Sequence, residues 1–246
     1  MRNIKLVITY DGTEFHGWQR QPNLRTVQQV LEDAIAQLTG VLPKCNATSR
    51  TDAGVHAFGQ VVNFFTSSTH SPRVFVKGLN ATMPHDLRVR NAWEMPESFH
   101  ATLDAKRKLY RYTIDNGPIS NPFCRRYAWH VYHSLDAEAM NRAGQSLIGR
   151  HDFRSFETNW PNRVSSVRTL FRLNTTRDGT NVTMEVEADG FLYNMVRAIT
   201  GTLVLVGTGQ RPESFVADAL KAQSRSEAGM TAPPQGLSLI QVWYED

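Results

Sequence analysis

The feature that most limits the folds open to this chain is a change of period near its start. Apolar residues at Ile4, Leu6, Ile8 and Tyr10 recur at every second position, the spacing of a half-buried strand. After a loop rich in Gly, Asp and Pro, "TVQQVLEDAIAQLTG" switches to the helical period. Its Val27, Val30, Leu31, Ala34, Ile35 and Leu38 fall on one face. Thr26 with Gln29 three residues on forms a capping box, and Gly40 supplies the stop. A short strand follows in "KCNATS", then a strand at "FGQVVNFF", a helix opened by Ser71-Pro72, and a strand at "LRVRNAWEM". The first part of the chain reads β-α-β-β-α-β.

The remainder opens with the basic alternating strand "KRKLYRYTI" and a connection bearing Pro, Asn and Gly. A helix from Asp136 and the strands "VRTLFRLNTTR" and "NVTMEVEAD" come next. A long helix carries Leu192, Met195, Val196, Ile199, Leu203 and Val206 on one face, followed by a shorter one at Pro212–Ala222 and the strand "LSLIQVWYE". The similar element orders predict an α+β fold of two related ferredoxin-like units, residues 1–104 and 105–246, whose sheets join into one mostly antiparallel sheet. No apolar run reaches the length of a membrane span, and the N-terminus has no small-residue cleavage site. Two isolated cysteines, Cys45 and Cys124, fit a reducing compartment, so a cytoplasmic protein is expected.

The net charge of +4 is unevenly spread. From Arg88 to Arg177 there are 15 Lys/Arg against 8 Asp/Glu, whereas the flanks carry 12 against 15. Arginines outnumber lysines 21 to 6, and the guanidinium fork suits phosphate. The excess, with Lys106, Arg107 and Lys108 within it, suggests a polyanion-binding face as readily as a solvated surface. In "KRKLYRYTI" alternation sets Tyr110 and Tyr112 on one sheet face. Aromatics beside basic residues are what a surface that stacks bases and holds phosphates requires; two core tyrosines would give the same pattern.

Metal and cofactor chemistry find little support. "CRRYAWHVYH" offers Cys124, His130 and His133, but in no zinc spacing. "DGTEFHG" lacks the Gly-Lys-Ser/Thr of a phosphate loop, and no nucleophile elbow is present. What stands out is "SRTDAGVHAFGQ". Its aspartate, Asp52, lies two residues after Arg50 and two before Gly54, and the next acidic residue is Asp86. The stretch suits either an Asp-Gly turn or a lone catalytic carboxylate beside its own cation. Arg197 falls off the apolar stripe of the long helix, one turn before Gly201, which would let a backbone or a ligand approach.

Taken in order, "YDGTEFHGWQRQ", "TVQQVLE", "RTDAGVHAFGQVVNF", "KLYRYTI" and "YNMVRAITGTL" closely resemble the tRNA pseudouridine synthase A family. The matches run over nearly the whole chain, and R-T-D-A-G-V-H is a specific signature. The resemblance implies the pseudouridine synthase fold, tRNA as substrate, the anticodon stem-loop as target, a homodimer, and no cofactor, metal or membrane. It matches Asp52 to the catalytic aspartate, Tyr110 to the tyrosine that packs on the target base, and Arg50 and Arg197 to the arginines around the aspartate. Ser49 departs from the glycine usual before R-T-D.

Such chemistry explains a solitary carboxylate. Hydrolysing a glycosidic bond ordinarily takes two carboxylates. In pseudouridine formation the N1–C1′ bond breaks and a C5–C1′ bond forms, so no atom is gained or lost and water must be kept out. An ionised Asp52 could attack C1′ or C6, or take the proton from C2′. A neighbouring arginine favours its charged form. The target base must leave its stack, and an aromatic ring offers a replacement surface. The rival classes are a non-catalytic RNA-binding protein, marked by loss of Asp52, and a nucleoside hydrolase, marked by clustered carboxylates or metal ligands.

Overall fold

The computed structural model describes residues 1–158 and 165–245. The chain divides into two compact units, Met1–Lys106 with Ser238–Asp246, and Arg107–Leu237. The closing strand therefore belongs with the first unit, although sequence order alone assigned it to the second.

In the first unit, β1 (Arg2–Tyr10) lies between β4 (Leu87–Met95) and β3 (His56–Thr66), antiparallel to both. The two-residue β2 (Asn46–Ala47) pairs with β3. At the other end of β3, β10 (Leu237–Trp243) runs parallel, matching Ser238 to His56 and Leu239 to Ala57. The alternation of β1 buries Ile4, Leu6 and Ile8 completely. Helices α1 (Val27–Thr39) and α2 (Pro72–Thr82) pack with each other and supply Leu31, Ile35, Phe75 and Leu79 to the core. Phe75 meets Phe64 edge to face at 5.6 Å.

Capping of α1 is as the sequence predicts: Thr26 accepts the Gln29 N–H, and Gly40 takes a left-handed φ of 78°. The buried face is broader than the apolar stripe, because Gln28 and Glu32 are buried too. Their side chains serve the neighbouring loops. Glu32 Oε1 accepts from Gln28 Nε2 at 2.9 Å and from the Cys45 N–H at 3.0 Å, while Gln28 Oε1 accepts the Arg20 N–H at 3.0 Å.

The second unit is built on the antiparallel order β5 (Arg107–Asp115), β9 (Asn181–Ala188), β8 (Val167–Asp178), β7 (Gly149–Asp152). The short β6 (Trp129–His130) runs parallel beside the end of β5. Helix α3 (Ala137–Gly144) starts on the Asp136 cap, which accepts the Ala139 N–H, and packs against α4 (Met195–Gly207) and α5 (Ser214–Ala222). The long helix begins three residues later than its apolar stripe suggests. Asn194 has φ 62°, a left-handed conformation that Asn tolerates and a helix cannot continue through. The fold is mixed α+β on a mostly antiparallel sheet, the expected class. Among the described residues no helix is long and apolar enough to cross a membrane.

Candidate active site

Asp52 sits on a loop whose backbone is hydrogen-bonded on both sides of it. The Asp52 carbonyl accepts the Val55 N–H at 3.1 Å, closing a turn whose third residue, Gly54, takes φ 79°. The Asp-Gly stretch is thus a turn, as one of its two readings has it, with Asp52 at its first position. Before Asp52, the Thr51 carbonyl accepts the Trp18 N–H at 2.9 Å and its hydroxyl bonds the buried Tyr10 hydroxyl at 2.8 Å. After it, the Gly54 N–H reaches the Phe15 carbonyl at 3.3 Å. Gln60, fully buried, grips Ser49 at both ends: Nε2 donates to its carbonyl at 2.6 Å, and Oε1 accepts its N–H at 3.3 Å.

Two of these contacts, at Trp18 and Phe15, are made by the Asp11–Arg25 loop, and glycine is what lets the two backbones meet. A Cβ on Gly12 would stand 2.0 Å from the Val55 carbonyl oxygen, and one on Gly17 would stand 2.7 Å from that of Thr51. The buried His56 completes the seam, its Nδ1 accepting the Gly12 N–H at 3.0 Å. Carbonyls of Gly17 and Trp18 in turn accept the Val27 and Gln28 N–H groups, so this loop also satisfies the start of α1. Arg25 anchors it, lying 4.0 Å over the Phe15 ring and holding Asp86 through two 2.8 Å bonds. Asp52 itself is half-buried, and Arg50 is exposed.

Tyr110 and Arg197 belong to the second unit. Tyr110 is buried on β5 with its ring edge-on to Phe191 at 5.0 Å. Tyr112 is a core residue, as the bland reading of that strand has it. Burial pushes its hydroxyl up against the opposing influence of Arg197, and the proton it keeps is donated to the Pro233 carbonyl at 2.6 Å. Arg197 is half-buried: Nε donates to the Ala232 carbonyl and Nη1 to Asn194 Oδ1, both at 2.7 Å. Its backbone carbonyl also accepts the Ala232 N–H at 3.1 Å. The approach expected at Gly201 is that of a backbone, for a Cβ there would stand 1.9 Å from the Met230 carbonyl oxygen. The segment Gly229–Pro233 therefore lies along α4 and fixes the guanidinium.

A family model described as tRNA pseudouridine synthase matches residues 6–104 and 143–245. The chain belongs to the tRNA pseudouridine synthase family. Proteins named tRNA pseudouridine synthase A are 45% identical over 244 residues in Thermoanaerobacter sp. (strain X514) and in Geotalea uraniireducens (strain Rf4), covering 99% of this chain and all of each relative. That of Geobacter sp. (strain M21) is 44% identical over 247 residues, covering all of both chains.

Within this family member, Asp52, Arg50 and Arg197 fall inside the matched segments, and Tyr110 falls between them. Reading the sequence missed the clamps, namely Gln60 on Ser49, Tyr10 on Thr51 and His56 on Gly12. Their only trace was the glycine content of "YDGTEFHG" and the histidine of the signature. The three cations at the head of the basic strand differ in their settings. Arg107 is ion-paired with Glu187 at 3.0 Å. Lys108 is half-buried, and burial together with the Arg168 charge lowers its pKa to about 8 against the pull of Asp189. Of the three cations, Lys106 is exposed. Arg163 of the same region lies outside the described residues.

Proposed function

We propose that the chain is a cytoplasmic tRNA pseudouridine synthase that isomerises uridines of the anticodon stem-loop and works as a homodimer. Asp52 is the catalytic carboxylate. Arg50 and Arg197 keep it ionised and bind substrate, and the Tyr110 ring replaces the stacking that the extruded uracil loses. The observation that carries the assignment is the Asp52 turn. Hydrogen bonds from Trp18, Gly54 and Val55 and the Tyr10–Thr51 contact hold a half-buried carboxylate on the family's signature loop. A nucleophile or base held by its scaffold loses little freedom on reaching the transition state, which is where such positioning lowers the barrier.

The test uses an unmodified tRNA transcript and a map of the pseudouridines formed. Asp52→Asn should lower turnover by on the order of 10³-fold or more, as loss of a central catalytic group does. Its tRNA affinity and urea midpoint should stay near wild type, because the amide has the size of the carboxylate and the backbone bonds of the turn are untouched. Wild-type turnover in that variant would overturn the assignment.

A further inference from the structure

The connection between β5 and α3 is tied down throughout its backbone yet turns its largest apolar side chains to solvent. Asp115, buried, accepts the Gly117 and Asn121 N–H groups at 3.2 and 2.9 Å. Asn116 donates to the Val131 and His133 carbonyls and accepts the Leu135 N–H. His130 Nε2 contacts the Gly117 carbonyl at 2.9 Å, which also accounts for one histidine of the discounted metal pattern. On this frame Ile119 is 84%, Phe123 89% and Tyr132 67% exposed, and Tyr127 is half exposed. Arg125 and Arg126 are exposed between them. From Asn116 to Leu135 the sequence has two arginines, two histidines and no carboxylate.

Scattered exposed apolar residues need no explanation, but four on one rigid loop with two guanidiniums do. Resting on the reading of the chain as a tRNA-modifying enzyme, we propose that this loop binds unstacked nucleotides of the tRNA other than the target uridine. Phe123 and Tyr127 offer faces for bases, and Arg125 and Arg126 hold the flanking phosphates. The loop leaves β5 at Asp115, five residues and about 17 Å along the strand from Tyr110 at ~3.4 Å per residue, so the two aromatic sites take different bases. RNA suits the loop better than a second copy of the chain does, because exposed aromatic faces next to exposed guanidiniums match the alternation of base and phosphate along a single strand.

Cys124 gives a direct probe. It is half-buried within the loop, whereas Cys45 is fully buried and burial raises its thiol pKa well above the usual value. The rate of Cys124 alkylation, read by mass spectrometry on the full-length Asp52→Asn protein, should fall several-fold with saturating tRNA transcript. In the wild-type background, Phe123→Ser with Arg125→Gln and Arg126→Gln should weaken tRNA binding about tenfold or more, within the range of one lost base stack and two phosphate contacts. Unchanged alkylation, or unchanged affinity, would overturn the proposal. So would a fall in sedimentation mass at constant tRNA affinity, which would make the loop a protein interface. If tRNA protects Cys124 but wild type forms no pseudouridine, the loop assignment stands and the enzymatic reading falls; the converse pattern has the converse meaning.

Discussion

Two arginine-bearing regions of the second unit, a few residues apart in sequence, set their charge beside different neighbours. On the sheet, Arg107 meets Glu187 at 3.0 Å, Arg111 meets Glu185 at 2.7 Å, and Arg172 lies 3.6 Å from Glu185 and 3.7 Å from Glu187. These cations are spent on cross-strand pairs. In the Asn116–Leu135 loop the flanking carboxylate, Asp115, is turned inward onto backbone N–H groups, and Arg125, exposed like Arg126, donates to the Pro122 carbonyl at 2.8 Å. A charge count along the chain cannot tell these cases apart. The basic window that ends at Arg177 stops just short of Glu185 and Glu187, the residues that neutralise its strand.

The sharpest attack on this contrast removes the loop's frame. Asp115→Ala leaves two N–H groups without their acceptor and should cost about 1–3 kcal/mol in urea unfolding. It should also weaken tRNA binding as the loop arginine substitutions do. A variant that is destabilised yet binds tRNA like wild type would show that the frame and the contact are unrelated. Next in size is the salt dependence. Arg125→Gln with Arg126→Gln should flatten the slope of log affinity against log salt by roughly 1.4 to 1.8, at about 0.7 to 0.9 per phosphate contact, whereas Arg107→Gln with Arg111→Gln should barely change it. Equal losses in the two pairs would break the comparison.

The smallest effect concerns Lys108. Its folded pKa of about 8 is below the ordinary lysine value, so between that pH and about 10.4 the unfolded chain binds more protons. Stability contributed at this site therefore rises with pH through that window and is weakest below it. Lys108→Met should lose this rise, seen as a smaller gain in urea midpoint from pH 7.5 to 9.5 than in wild type. A gain of the same size in both proteins would show that Lys108 keeps an ordinary pKa.

What could be read from the sequence was whatever depends on neighbours along the chain. The alternation of β1, the Thr26 cap, the Gly40 stop and the Asp136 start are local, and each is present in the structure. The R-T-D-A-G-V-H signature pointed to Asp52 for a similar reason, being one unbroken stretch. Features set by distant partners were hidden. Gln28 and Glu32 look like the solvent face of a helix until the loops at Arg20 and Cys45 come to meet them. Gly201 signalled a close approach, yet nothing in the sequence named the Met230 carbonyl. Tyr110 and Tyr112 share a strand and a period and are both buried, and nothing in the sequence named the Pro233 carbonyl as the acceptor of the Tyr112 hydroxyl. Asn194 stopped the backward extension of α4 through a backbone angle that hydrophobic period does not record.

The return of β10 to the first unit has a consequence on the ribosome. Residues Arg107–Leu237 are synthesised between the body of that unit and the strand that completes it. At ~5–20 residues per second the wait is roughly 7–26 s. During it His56 and Ala57 lack their parallel neighbour, Thr48 lacks the Tyr244 hydroxyl that lies 2.6 Å away in the finished fold, and the Lys106 N–H lacks the Trp243 carbonyl. Phe99 and Lys5 wait for the Tyr244 ring, at 5.1 and 4.8 Å. The unit that carries Asp52 is begun first and finished last, so a chain broken off anywhere in the second unit also leaves the first without its closing strand.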